Sequence, residues 1–187
     1  MIHSVRFTAV LDTNIIYPVI IMDILFWFAY YDLYTPKWSE HIFDVRKIVM
    51  KEKGVTEEEA NKRTEKANIA FPDALVQNYK GLINHLELPD KNDRHVLAAA
   101  IKTNANLIIT NNIKHFPEEY LQSFGLNAKT ADDFLTDIID LNQEQAIASF
   151  KEMVLNKKNP KMDEFEVLDQ LRNAGLKDTA NYLHTLL

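Results

Sequence analysis

Short apolar runs that stop abruptly on polar or acidic residues, separated by longer helical stretches, constrain this chain more than any other feature. Phe7–Leu11 halts at Asp12-Thr13-Asn14, Leu33–Trp38 halts at Ser39, and Leu107–Thr110 halts at Asn111-Asn112. A strand that is apolar on both faces needs cover on both. Strands of this kind alternating with helices therefore predict a parallel sheet between two helical layers. A further short strand is expected near 125–129, and another strand or a turn near 76–79. The fold class is α/β, three-layer, with a central parallel sheet flanked by helices.

The intervening stretches carry helix punctuation. Asp12 or Asn14 can cap a first helix, Pro18 suits its first turn, and the helix continues through Phe26, Trp27 and Tyr30. It is apolar on nearly all sides, so other elements should cover it. Pro18 and Asp23 interrupt the run Ile15–Tyr31, whereas a membrane span wants ~20 uninterrupted apolar residues; a buried helix is the expectation. Ser39 is placed to cap a helix reaching about Lys53, Gly54 breaks it, and Thr56-Glu-Glu-Glu59 has capping-box spacing for the next. Leu88–Asp93 reads as a loop feeding an alanine-rich helix from Arg94 to about Thr103, ended by Asn104 or Asn106. Another helix spans Ala131–Ile139. From Asn142 onward only helices are expected. Asn142 with Gln145, and Asp163 with Glu166, have capping spacing, and Phe165, Leu168 and Leu171, then Tyr182, Leu183 and Leu186, give each helix one apolar face. The expected division is a body over 1–140 and a helical C-terminal extension over 141–187.

Composition narrows the function classes. The 187 residues are 47% hydrophobic and 26% charged, the balance of an ordinary soluble domain, and contain no cysteine. Disulfides, thiolate zinc sites and cysteine nucleophiles are excluded. The first residues, Met-Ile-His-Ser-Val-Arg-Phe, lack the pattern of a secretory signal, and the expected location is cytoplasmic. A formal charge of −6 argues against a module that binds nucleic acid by phosphate neutralisation alone. It is compatible with a nuclease whose carboxylates hold divalent cations.

In open parallel sheets ligands bind beyond the carboxyl ends of the strands. That rule selects Asp12, the Asn111-Asn112 pair, Asp93 at the start of its helix, and Glu40 with Asp44, which share a helix face at i, i+4. Such clustered carboxylates repel one another until a cation binds, and hard oxygen donors suit Mg²⁺ or Mn²⁺. Each acid also has a purely structural reading: Asp12 and Asp93 as helix caps, Glu40 and Asp44 as solvated helix acids. His95 and His115 are read as surface or internally satisfied histidines.

Three stretches together resemble the PIN-domain family, including its VapC-type toxin ribonucleases: Val10-Leu-Asp-Thr-Asn14, Asp93-Arg-His-Val-Leu-Ala-Ala-Ala100 and Leu107-Ile-Ile-Thr-Asn-Asn112. Trp38-Ser-Glu-His-Ile-Phe-Asp44 is similar to the segment that supplies the family's second acid, which matches Asp44, with Glu40 one turn away as an alternative. The resemblance covers about residues 7–135, and the tail is similar to the helical extension of one bacterial subgroup. It implies a PIN-like fold and a Mg²⁺- or Mn²⁺-dependent endoribonuclease, the toxin of a type II toxin–antitoxin pair. Asp12, Asp44 and Asp93 would be catalytic. The metal set would be Asp12, Asp93, Asp44 or Glu40, and Asn112; Asn14, Asp90 and Thr110 would support it. Asn112 stands where many members carry an acid, and Asp44 is shorter than the usual Glu. Arg46, Lys47 and Arg94 are candidate RNA-phosphate contacts. Partners implied are RNA, an antitoxin protein and a second copy of the chain. The alternative is a non-catalytic PIN-like module binding RNA or protein. A phosphatase of the haloacid-dehalogenase class also opens strand–Asp, but it requires a second Asp where this chain has Asn14.

Overall fold

The structure, a computed structural model, describes residues 7–16 and 18–187. The opening segment read above for a secretory signal lies outside the described residues except for Phe7. Five parallel strands form one sheet: β1 (Thr8–Leu11), β2 (Thr35–Ser39), β3 (Leu75–Val76), β4 (Leu107–Ile109) and β5 (Asn127–Lys129), in the order β3-β2-β1-β4-β5. Its central strand is β1, whose carboxyl end carries Asp12.

Residues alternate between two cores, as the pleat requires. Ala9 and Leu11 of β1 and Ile109 of β4 face a cluster with Phe28, Trp38, Phe134, Phe150 and Leu168. Val10 and Ile108 face a second cluster with Val96, Ala99, Phe116 and Leu121. The three-layer reading is therefore what the chain adopts, with the sheet buried on both sides.

The first helical stretch divides. Helix α1 (Thr13–Ile16) is a single turn, and α2 (Val19–Tyr30) begins after Pro18. A proline has no N–H for the bond back one turn, so a continuous helix through this point is broken. Helix α2 buries Ile21, Ile24, Leu25 and Phe28 but leaves Tyr30 exposed. Helices α3 (Glu40–Glu52) and α4 (Glu57–Ala70) follow, the latter capped by the Thr56 hydroxyl, which accepts the Glu59 N–H at 3.3 Å. Ser39 has the backbone of an N-cap yet no side-chain capping bond; its hydroxyl pairs with His95 instead. A short α5 (Lys80–Ile83) leads to a 3₁₀ turn over Lys91–Asp93 and then α6 (Arg94–Lys102). Asn104 takes a left-handed φ of 48° to end α6.

After β4 come a 3₁₀ turn at Ile113–His115 and helix α7 (Glu118–Gln122). The C-terminal helices are α8 (Ala131–Leu141), α9 (Gln143–Leu155), α10 (Glu164–Asn173) and α11 (Lys177–Leu186). Asn142 caps α9, and a reciprocal capping box joins Asp163 and Glu166 at α10. Leu168, Leu171 and Leu183 are buried in the cluster that holds α2 and one face of the sheet, whereas Phe165 is exposed beside His184. Among the described residues, no helix is long and apolar enough to cross a membrane.

Candidate active site

The central strand delivers Asp12 to the carboxyl edge of the sheet, and its neighbour β4 delivers Thr110. Backbone pairing extends past the strands: the Asp12 N–H donates to the Ile109 carbonyl at 3.0 Å, and Thr110 N–H to the Lys129 carbonyl at 2.9 Å. This fixes the two residues side by side. The Thr110 hydroxyl donates to Asp12 Oδ2 at 2.7 Å, Asn14 Nδ2 donates to the same oxygen at 2.6 Å, and Thr13 N–H donates to Oδ1 at 2.6 Å. Asn14 also reaches across the edge, accepting the Asn111 N–H at 3.0 Å, while the Asn112 N–H donates to the Thr110 hydroxyl at 3.0 Å. The segments Asp12–Asn14 and Thr110–Asn112 are thus knitted into one loop pair.

Asp12 is only 3% exposed. Burial raises its pKa above the ordinary aspartate value, and the nearby charge of Asp93 adds to that; bonds from Thr110, Thr13 and Asn14 offset part of it. Asp93 sits where the 3₁₀ turn enters α6. It makes no capping bond, so its carboxylate is free of the role that sequence alone allowed it. Its pKa is also raised, by burial first and by the charge of Asp90, with a hydrogen bond to His115 acting against both. The His115 Nδ1 lies 2.7 Å from Asp93 Oδ2 and 3.9 Å from Asp90 Oδ2. Asp90 Oδ1 accepts the Asn92 N–H at 2.9 Å, which closes the turn.

The acids of α3 sit differently. Glu40 and Asp44 are exposed, with Glu40 Oε2 3.5 Å from Lys80 Nζ and Asp44 Oδ1 4.0 Å from Lys47 Nζ. Both line a cleft of about 350 Å³ with His41, Tyr79, Lys91 and His95. The group of donors that closes to within 4.8 Å among the described residues is Asp90, Asp93 and His115, and it includes neither α3 acid. The donor chemistry fits a divalent cation all the same: hard carboxylate oxygens, concentrated negative charge, and two aspartates whose ionised forms are disfavoured as they stand.

Of the candidate RNA contacts, Arg46 is corrected. It is 1% exposed and its Nε–H donates to the Ile16 carbonyl at 3.0 Å, so it is a core residue of α3 alongside Ile42, Phe43 and Met50. Its place at i+4 from Ile42 was the available signal. Lys47 stays partly exposed beside Asp44, and the Nε of Arg94 is buried without a hydrogen-bond partner among the described residues. His115 was undervalued in the sequence, although it follows the Thr110–Asn112 strand end by one 3₁₀ turn. His95 is internally satisfied as expected: its Nδ1 is 3.1 Å from Ser39 Oγ, its ring meets His41 edge-on, and burial lowers its pKa to about 4.

Residues 8–114 match the family model described as "PIN domain", more than half of the chain. The chain belongs to the PIN-domain family. Residues 131–185 match a second model, "VapC50 C-terminal domain", which spans all of α8 to α10 and most of α11. A Mycobacterium tuberculosis protein named "Putative ribonuclease VapC50" is 42% identical over 79 residues, 42% of this chain and 47% of that relative. The match therefore spans less than half of the relative's length. No solved structure matches.

Proposed function

We propose that this PIN-domain protein is a Mg²⁺- or Mn²⁺-dependent endoribonuclease, acting in the cytoplasm as the toxin of a type II toxin–antitoxin pair. The observation that carries the reading is the buried Asp12 carboxylate held by Thr110 and Asn14 at the carboxyl edge of the sheet, with Asp93 close enough for its charge to act on it. The relative's printed name, a ribonuclease, and the matched C-terminal model support it.

Asp12 and Asp93 would hold the ion, with Asp44 or Glu40 and the side-chain carbonyl of Asn112 completing the set. The bound ion supplies charge neutralisation at the phosphodiester and a water more acidic than bulk. The chain's own residues orient the donors: Thr110 and Asn14 fix the Asp12 carboxylate, and His115 holds Asp93. Lys47 stands near Asp44, placed to meet an RNA phosphate that approaches the cleft. The body over 1–140 carries this chemistry, and the extension over 141–187 packs against it through α2 and α8. An antitoxin would cover the acidic edge, and the protein would act as a homodimer.

The test is a cleavage panel of single-stranded RNAs and DNAs with Mg²⁺, Mn²⁺ or EDTA, run beside Asp93→Asn. RNA cleavage that needs the cation and disappears in the variant is expected. Cleavage that is equal in EDTA, or unchanged in Asp93→Asn, rejects the site. The second reading, a non-catalytic RNA- or protein-binding module, draws on the lysine-paired, exposed Glu40 and Asp44 and the neutral Asn112. RNA binding without cleavage under every cation would favour it.

A further inference from the structure

We propose that the lysine loop between α9 and α10, residues 156–163, binds the phosphate backbone of single-stranded RNA through Lys158 and Lys161. The site rests on the ribonuclease reading for its ligand, and it gives the helical extension a part in holding the substrate.

The direction of two helices places the loop. Helix α2 leaves the carboxyl edge of the sheet after Asp12 and ends at the amino edge, where the Leu33 N–H donates to the Phe28 carbonyl at 3.0 Å and Thr35 pairs with Thr8. Helix α9 packs along α2 in the opposite sense. Gln145, near the start of α9, hydrogen-bonds the Tyr31 carbonyl, and Lys157, just past its end, pairs with Asp23 in the first half of α2. The chain leaving α9 therefore emerges at the end of the molecule that carries Asp12, and not at the amino edge.

Charge is concentrated there. Residues 153–162 hold three lysines and no acid, in a chain whose formal charge is −6. Lys157 is engaged by Asp23, and the acids Asp163 and Glu166 that follow are engaged in the capping box of α10. Lys158 and Lys161 are exposed, and among the described residues neither has an ion-pair partner. They are bridged to each other as antiparallel neighbours. Side chains directly opposite in such a pair share a face, and like charges there repel. A phosphate bound between the two ammonium groups removes that repulsion.

The surroundings suit a nucleic-acid strand. The three lysines share a cleft of about 210 Å³ with Val154, Leu155 and Met162, a space narrow for a peptide helix about 10 Å across. Lys66 of α4 lines the neighbouring groove with Asp23, so cationic surface continues from the extension onto the body. At the acidic edge itself Lys47 and Lys80 already lie beside Asp44 and Glu40. A polyanion held at that end needs cations that are not so engaged, and the loop supplies two.

The experiment titrates the full chain, in EDTA, against a fluorescently labelled polyuridine oligonucleotide, reading anisotropy over a series of salt concentrations. Lys158→Gln/Lys161→Gln is compared with Lys102→Glu, which alters the net charge equally but at the amino edge, where α6 ends and β4 begins. The double variant is expected to bind RNA at least about fivefold more weakly. Its slope of log affinity against log salt should fall by about 1.4, or about 0.7 for each lost phosphate contact. Lys102→Glu should stay within about twofold of the parent, because salt screens so distant a charge. In Mn²⁺-dependent cleavage the double variant should raise KM and leave kcat unchanged.

No RNA binding by the parent, an unchanged salt slope in the double variant, or an equal loss in Lys102→Glu overturns the proposal. So does polyglutamate that binds the parent more tightly than RNA and loses that binding in the double variant, which makes the loop a seat for an acidic protein. Cation-dependent cleavage with the same KM in parent and double variant removes the lysine site alone. RNA held through these lysines by a protein that cuts none under any cation removes the ribonuclease reading alone.

Discussion

Aspartate serves opposite ends in two regions of this molecule. In the C-terminal helices, Asp132 of α8 accepts the Asp178 N–H at 3.0 Å, the Thr179 N–H at 2.8 Å and the Thr179 hydroxyl at 2.6 Å. It closes the start of α11, where the helix dipole favours a negative charge. At the sheet edge Asp12 likewise accepts bonds from three neutral donors, yet burial and Asp93 together disfavour its charge. Asp93 stands at a helix start and does not cap it. Hydrogen-bond count does not separate the structural acid from the two proposed as cation ligands. What separates them is burial beside another carboxylate.

The largest effect expected from this contrast is on chemistry. Asp12→Asn should lower single-turnover RNA cleavage at least about 10³-fold, equivalent to about 4 kcal/mol of barrier, with little change in melting temperature. Retained cleavage with a collapsed melting temperature would reverse the roles of the two regions.

Next in size is an acid limb of stability from His95. Its folded pKa of about 4 lies below the ordinary value of 6.5. Between those values the unfolded chain binds more protons, so stability rises with pH. This contribution is complete above about pH 6.5 and lost as pH falls towards 4, by at most about 3 kcal/mol. Urea denaturation across that window should show the limb, and His95→Gln should flatten it. An equally steep limb in the variant would place the titration elsewhere.

The third effect is smaller. Asp132→Ala should cost about 1–2 kcal/mol of stability through the lost cap, the Thr179 hydroxyl keeping its 3.3 Å bond to the backbone carbonyl of residue 132. It should leave cation affinity unchanged. A loss of Mn²⁺ binding in Asp132→Ala would show that the helical extension and the acidic edge are not separable.

The sheet and most of the edge were legible because strand ends are local events. Apolar runs stopping at Asp12 and Thr110 located the two central strands and, through the parallel-sheet rule, the edge they share. What escaped depended on contacts between distant segments. Ser39 looked like a cap because sequence cannot show that His95 competes for its hydroxyl. Arg46 looked like a surface cation because charge outweighed its helical spacing from Ile42 and Met50, both buried. His115 lies 22 positions from Asp93, and only the return of β4 beside β1 brings them together. Pro18 is the reverse case: its position was read as tolerable within a first turn, while the turn that precedes it is a separate helix.

The central claim is that Asp12 and Asp93 together make the sheet edge a cation site. Calorimetric titration of Mn²⁺ into the wild-type chain and into the Asp12→Asn/Asp93→Asn double variant at pH 7 tests it most directly. Saturable binding by the wild-type protein, absent from a double variant that still melts cooperatively, is the predicted result. Equal affinity in the two proteins would contradict it.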